Sequence, residues 1–177
     1  TGAWLEKANS RHKVILGTKV FFSTDKGPND SGLSRTHIMS SVEKSLERLR
    51  TDYIDLYQVH CYDRMTSMEN VVSTMDLLVQ QGKIRNYGVS NYTPSNIVRS
   101  IMHARHFGKN ALSSVQLEYS LLVRSPEWEL LPLCDEENLG VLAWSALGGG
   151  WLTGKYRRDQ AARGGSGRMA ACVWLAP

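Results

Sequence analysis

Lys19, His60, Ser90, Asn91, Gln116 and Trp144 are placed just where short apolar runs stop. In α/β enzymes the chemistry sits at the C-terminal ends of parallel strands, so such a placement is a pattern for an active site. Lys19 follows Gly17 and Thr18 at the end of Val14–Val20. A lone buried ammonium is costly, so this lysine must open onto a pocket or pair with an acid. His60 closes Tyr53–His60 at the equivalent point of the next run. A lysine and an imidazole at matching ends of neighbouring strands make a candidate catalytic pair. Ser90, Asn91 and Gln116 are uncharged donors and acceptors, a set suited to fixing a planar carboxamide. Trp144 offers a flat ring for stacking, with a core aromatic as the plain alternative. After it comes Ser145-Ala-Leu-Gly-Gly-Gly-Trp-Leu-Thr-Gly154. Its glycines permit close backbone approach and its N–H groups can cradle a pyrophosphate, although it matches no phosphate-loop formula.

Other reactive residues carry less. Asp55 neighbours the histidine strand, but odd and even strand positions point to opposite faces, so Asp55 is expected to anchor a segment outside the sheet's inner face. Cys61 beside His60 has no orienting third group or oxyanion loop to support a thiolate nucleophile. His103 and His106 lie on one helix without an accompanying carboxylate motif, which argues against zinc.

The elements that must hold these residues follow from periodicity. The strand ends at positions 60, 88, 116 and 144 recur every 28 residues. Ser34 caps a helix with apolar positions Ile38, Val42, Leu46 and Leu49. Thr66 and Glu69 stand in capping-box relation ahead of Met68, Val72, Met75 and Val79, and Gly82 offers the stop. Thr93-Pro94 starts the next helix, with Ile97, Ile101 and Ala104 on one face. Ser125-Pro126 starts another, which Pro132 is expected to divide. Strand and helix alternate without hairpin signals, which favours parallel strands joined by crossovers. The fold expected is an incomplete TIM-type (β/α)8 barrel with about five parallel strand-helix units, since eight units take roughly 250 residues and the chain has 177. An open doubly wound sheet has the same spacing. The barrel portion is expected over residues 1–156. A flexible or non-family tail is expected over 157–177, where small and basic residues replace any apolar period.

Composition narrows the class. The chain carries 21 basic and 17 acidic residues, for a net charge of +4, with 42% hydrophobic residues. That balance belongs to an ordinary globular enzyme and gives no nucleic-acid footprint. No apolar run approaches the roughly 18 residues of a membrane span, and Thr1 opens no signal peptide. Cys61, Cys134 and Cys172 make neither a disulfide framework nor a metal motif, so a reducing, cytoplasmic compartment is expected. Five strands leave two hydrogen-bonding edges, and association with another chain through them, aggregation or partial disorder is expected more than for an intact barrel.

Gly17-Thr-Lys19, Leu46-Glu-Arg-Leu49, Thr51-Asp-Tyr-Ile-Asp-Leu-Tyr-Gln-Val-His60, Gly82-Lys-Ile-Arg85, Gly88-Val-Ser-Asn91, Trp144-Ser-Ala-Leu and Leu152-Thr-Gly-Lys-Tyr156 together resemble the aldo/keto reductase family. The resemblance implies a barrel that binds NADPH without a Rossmann domain and passes hydride to an aldehyde or ketone, a small carbonyl substrate. It puts the family's catalytic lysine on Lys19 and its histidine on His60. The residues holding the nicotinamide amide fall on Ser90, Asn91 and Gln116, and the stacking aromatic on Trp144. Ser145 with Leu147, Gly148 and Gly149 begins the loop over the pyrophosphate. The family's tyrosine acid and its aspartate match nothing here, and their positions would precede Thr1. The basic residues that read the 2′-phosphate would follow the last strand. This chain alone is therefore expected not to turn over. A non-enzymatic binding or regulatory module on the same scaffold, as in channel-associated family members, is the alternative.

Overall fold

Every strand joins its sequence neighbour and none is skipped. The computed structural model describes residues 1–23 and 26–156; the expected tail over 157–177 lies outside the described residues. Strands β1 (Gly17–Val20), β2 (Ile54–Val59), β3 (Ile84–Ser90), β4 (Ser114–Glu118) and β5 (Gly140–Trp144) form one parallel sheet in the order β1-β2-β3-β4-β5. A doubly wound sheet reverses its strand order to bring helices to both faces. Here the order never reverses, which is the arrangement of part of a TIM-type barrel, with helices on one face.

Register decides what each face carries. Lys19 pairs with Gln58, Gln58 with Gly88 and Gly88 with Ser114; one step further along, Ser90 pairs with Gln116. With a side-chain period of two, Lys19, Gln58, His60, Gly88, Ser90, Ser114, Gln116 and Trp144 all fall on the inner face. The alternate positions Val20, Tyr57, Val59, Tyr87, Val89, Val115 and Leu117 are buried in the outer core. Helices α2 (Arg35–Leu49), α3 (Met68–Gln80) and α4 (Pro94–His106) supply the other half through Ile38, Val42, Met75, Leu78, Ile97 and Ile101. Burying each such side chain contributes about 1.5–3 kcal/mol. On β5, by contrast, Val141 and Leu142 remain exposed.

Local signals explain the helix limits, with two corrections. Ser34 accepts a bond from His37 N–H at 3.2 Å, and Thr93 caps α4 with Pro94 in its first turn. The helix α3 is capped by Ser67 rather than Thr66: Ser67 Oγ accepts from Asn70 N–H, while the Thr66 hydroxyl donates to Asp63. Pro132 does not divide its helix. The break falls earlier, between a 3-10 turn at Ser125–Glu127 and α5 (Leu130–Glu136). Pro132 sits in the first turn of α5, where a missing N–H forfeits no intrahelical bond. A short helix α1 (Gly2–Lys7) packs on α2.

Outside the inner face, Asp55 does anchor a neighbouring segment. Its carboxylate pairs with Arg11 at 2.8 Å and accepts from Leu16 N–H at 2.8 Å. Tyr57, fully buried, has no partner for its hydroxyl among the described residues. Burial drives that phenol well above its ordinary pKa, with the nearby Arg48 opposing. An unpaired buried hydroxyl is a liability, so Tyr57→Phe is expected to raise stability by about 1 kcal/mol. Urea unfolding checks the sign, and a destabilised variant would mean that the hydroxyl has a partner.

Candidate active site

At the C-terminal ends of the strands, Lys19, Phe22, His60, Cys61, Ser90, Asn91, Gln116 and Trp144 line a cleft of about 380 Å³. Six of the residues singled out from sequence thus converge on one space. Strand β1 delivers Lys19; β2 ends at Val59, and His60 N–H bonds Val20 carbonyl at 3.0 Å, so the pairing reaches the imidazole. Burial lowers the His60 pKa and the Lys19 ammonium lowers it further. A neutral imidazole beside an ammonium is the state favoured near neutral pH, and it offers an N–H donor without a second positive charge.

Asn91 ties the far wall together. Its Nδ2 donates to His60 carbonyl at 3.2 Å and to Ser90 Oγ at 3.1 Å, and its Oδ1 accepts from Trp144 Nε1–H at 3.3 Å. Its backbone N–H bonds Gln116 carbonyl at 3.1 Å. Asn91 adopts φ of 57°, a left-handed conformation that asparagine tolerates better than most residues. The indole ring is therefore held at its N–H, with its faces left for packing. Across from it, Gln116 Oε1 is buried without a partner among the described residues.

Ser145, Leu147, Gly148 and Gly149 are not among the residues lining the cleft. They lie in the loop leaving β5, where Ser145, Gly148, Gly149 and Gly150 all have positive φ. The N–H groups of Gly148, Gly150 and Leu152 bond within this loop, to Ser145 and Leu147 carbonyls. Those three amides are therefore already used internally. Gly148 also needs its missing side chain: a Cβ there would lie 2.8 Å from Leu122 Cδ1.

Sequence reasoning passed over Phe22 entirely. Its ring stands edge-on to His60 at 4.8 Å between centroids. An aromatic residue just past a strand carrying a candidate lysine was the available signal. Cys61 lines the cleft, but burial raises its thiol pKa and the Asn91 hydrogen bond only partly offsets this, so a thiolate is disfavoured. Among the described residues, neither tyrosine nor carboxylate is found in the cleft lining. Among the described residues no cluster of three or more His, Cys, Asp or Glu side chains could hold a metal ion, and no helix is long and apolar enough to cross a membrane.

Comparison with known proteins gives the family. The model of the aldo/keto reductase family matches residues 1–171. The chain is 39% identical over 165 residues to an uncharacterized oxidoreductase, YrpG, of Bacillus subtilis, a match covering 90% of this chain and 51% of that protein. It is 38% identical over 176 residues to protein tas of Escherichia coli, covering 88% and 51% respectively. A probable voltage-gated potassium channel subunit beta of Arabidopsis thaliana is 34% identical over 149 residues, covering 84% of this chain and 45% of that protein. The chain thus spans about half the length of these relatives. On the extent of the family match and on these identities, the chain belongs to the aldo/keto reductase family.

Proposed function

We propose that this chain carries the nicotinamide-binding wall and two of the catalytic groups of an NADPH-dependent carbonyl reductase. The observation that carries this reading is Gln116 Oε1, a buried acceptor without a partner among the described residues, in the same cleft as Lys19 and His60. A carboxamide N–H₂ satisfies such an oxygen, and leaving it unpaired costs about 1–3 kcal/mol. Ser90 and Asn91 extend the amide-reading set, and Trp144, fixed by Asn91, presents a ring for stacking. The donor set fits nicotinamide.

When bound, the nicotinamide supplies the hydride that side chains cannot. The chain's own residues manage charge. As a carbonyl carbon accepts hydride, its oxygen gathers negative charge. A neutral His60 donates an N–H to that oxygen and Lys19 stabilises the charge through its ammonium. The proton that completes an alcohol is suited to a phenol that Lys19 could polarise, and among the described residues no tyrosine lines the cleft. The 177-residue chain alone therefore binds cofactor without ordinary turnover. Ser145, Leu147, Gly148 and Gly149 remain the candidates for pyrophosphate contact. The enzyme works in a cytoplasmic, reducing setting, where Cys61 and Cys134 stay free thiols.

A fluorescence titration with NADPH tests this. Saturable binding is expected, weakened about tenfold or more by Gln116→Leu, the loss of one buried hydrogen bond. Incubation with reactive aldehydes is expected to give no NADPH oxidation near roughly 1 per second. Failure to bind NADPH would overturn the assignment of the wall. Binding without turnover is also what a regulatory module would show, a reading favoured by the missing proton donor and by similarity to a protein named as a channel subunit. Turnover by a chain extended to the full length of its relatives separates the two.

A further inference from the structure

One carboxylate joins the two loops nearest the catalytic pair. Asp63 follows β2, and its Oδ2 accepts from Leu33 N–H and from the Thr66 hydroxyl, each at 2.8 Å. Its Oδ1 accepts from Met65 N–H at 2.8 Å. Leu33 belongs to the loop that follows β1, thirty residues away in sequence. Gly32, at φ of 81°, permits the approach, since a Cβ there would lie 2.9 Å from Asp63 Oδ2. Burial alone would raise the Asp63 pKa, but the bonds from Met65, Leu33 and Thr66 outweigh it and hold the carboxyl below its ordinary range. Gly32 N–H in turn bonds Phe21 carbonyl at 2.8 Å. The anchor at Leu33 is therefore linked through that bond to Phe22, whose half-exposed ring meets the His60 imidazole edge-on.

We propose that Asp63 is a positioning residue, which locks the β1 and β2 loops into one wall and thereby sets Phe22 against His60 on the substrate side of the cleft. Its consequence for carbonyl binding rests on the reductase reading above; its geometry does not. Asp63→Asn separates the two roles of the carboxylate. An asparagine has one acceptor oxygen in place of two: kept on Met65 N–H, it turns its N–H₂ toward the Thr66 hydroxyl and takes the acceptor from Leu33. Thr66→Ala does the reverse, removing a bond within the β2 loop and leaving Leu33 held.

Amide exchange and the His60 ring-proton resonances, read by NMR on the 177-residue chain without cofactor, test this. Asp63→Asn is expected to speed Leu33 exchange about tenfold or more, as a charge-assisted bond is lost. It should also move the His60 resonances toward those of Phe22→Ala, which removes the neighbouring ring directly. Thr66→Ala should change neither. The proposal is overturned if Asp63→Asn leaves Leu33 and His60 as they were, or if Thr66→Ala matches its effect. It is equally overturned by protection lost uniformly across β2 and β3 in Asp63→Asn, because the carboxylate would then hold the fold and not the wall. None of these readouts depends on NADPH binding, so a failure here is distinct from a failure of the reductase reading.

Discussion

Gly88→Ala is expected to destabilise the chain by about 3 kcal/mol, because β3 and β4 leave no room for a methyl group. A Cβ at Gly88 would lie 2.3 Å from Ser114 Oγ and 2.7 Å from the Ser114 carbonyl oxygen. The hydroxyl can rotate away. The carbonyl belongs to the neighbouring strand and cannot move without parting the pair. Gly88 and Ser114 are register partners, and Ser90 and Gln116 are the next pair on the same face. Splaying the strands therefore also displaces the amide-reading set. Urea denaturation measures the first effect and NADPH titration the second. Ser114→Gly in the Gly88→Ala background removes the hydroxyl clash but leaves the carbonyl one, so it should recover only part of the loss. Full recovery, or a loss below about 0.5 kcal/mol in the single variant, would show that the backbone contact is not limiting.

Asp76→Ala is expected to cost about 3 kcal/mol, through donors left without an acceptor. Asp76 is 3% exposed on α3. Its Oδ1 accepts from the Asn110 backbone N–H at 2.9 Å and from Asn110 Nδ2 at 2.8 Å, and its Oδ2 accepts from Gln80 Nε2 at 2.8 Å. Lys109 Nζ stands 3.7 Å from Oδ2. The Tyr87 hydroxyl donates to Asn110 carbonyl at 2.8 Å, so the segment entering β4 is held from both α3 and β3. The same segment leads directly into the strand that carries Gln116. Asp76→Asn keeps the volume but loses an acceptor and the charge, so it should fall between the unsubstituted chain and Asp76→Ala. Thermal or urea unfolding of both variants checks the order. Equal losses would mean that the carboxylate, and not the space it fills, carries the whole effect.

The strand ends were readable because a buried parallel strand is a short apolar run, and a polar residue at its end has few places to go but the barrel mouth. Lys19, His60, Ser90 and Gln116 could be found for that reason. Helix starts were readable where a hydroxyl precedes a proline or an apolar period, as at Ser34 and Thr93. The cap of α3 was misread because Thr66 and Ser67 are chemically equivalent as caps. Which of them serves the helix depends on Asp63, which takes the Thr66 hydroxyl. Pro132 was misread for a related reason: proline breaks a helix interior but suits its first turn, and only the observed start at Leu130 distinguishes the cases.

The order of residues alone specified the alternation of strands and helices, the family motifs and the inner-face set, because periodicity and local chemistry are encoded residue by residue. Contacts between distant segments needed the folded chain. The Asn91 bridge from His60 to Trp144, the Phe22 ring on His60, and the Asp63 link to Leu33 all join residues on different loops or strands. Such contacts depend on register and on where each loop turns back. Sequence spacing does not encode them; they arise only once parallel pairing brings the ends of neighbouring strands to one mouth.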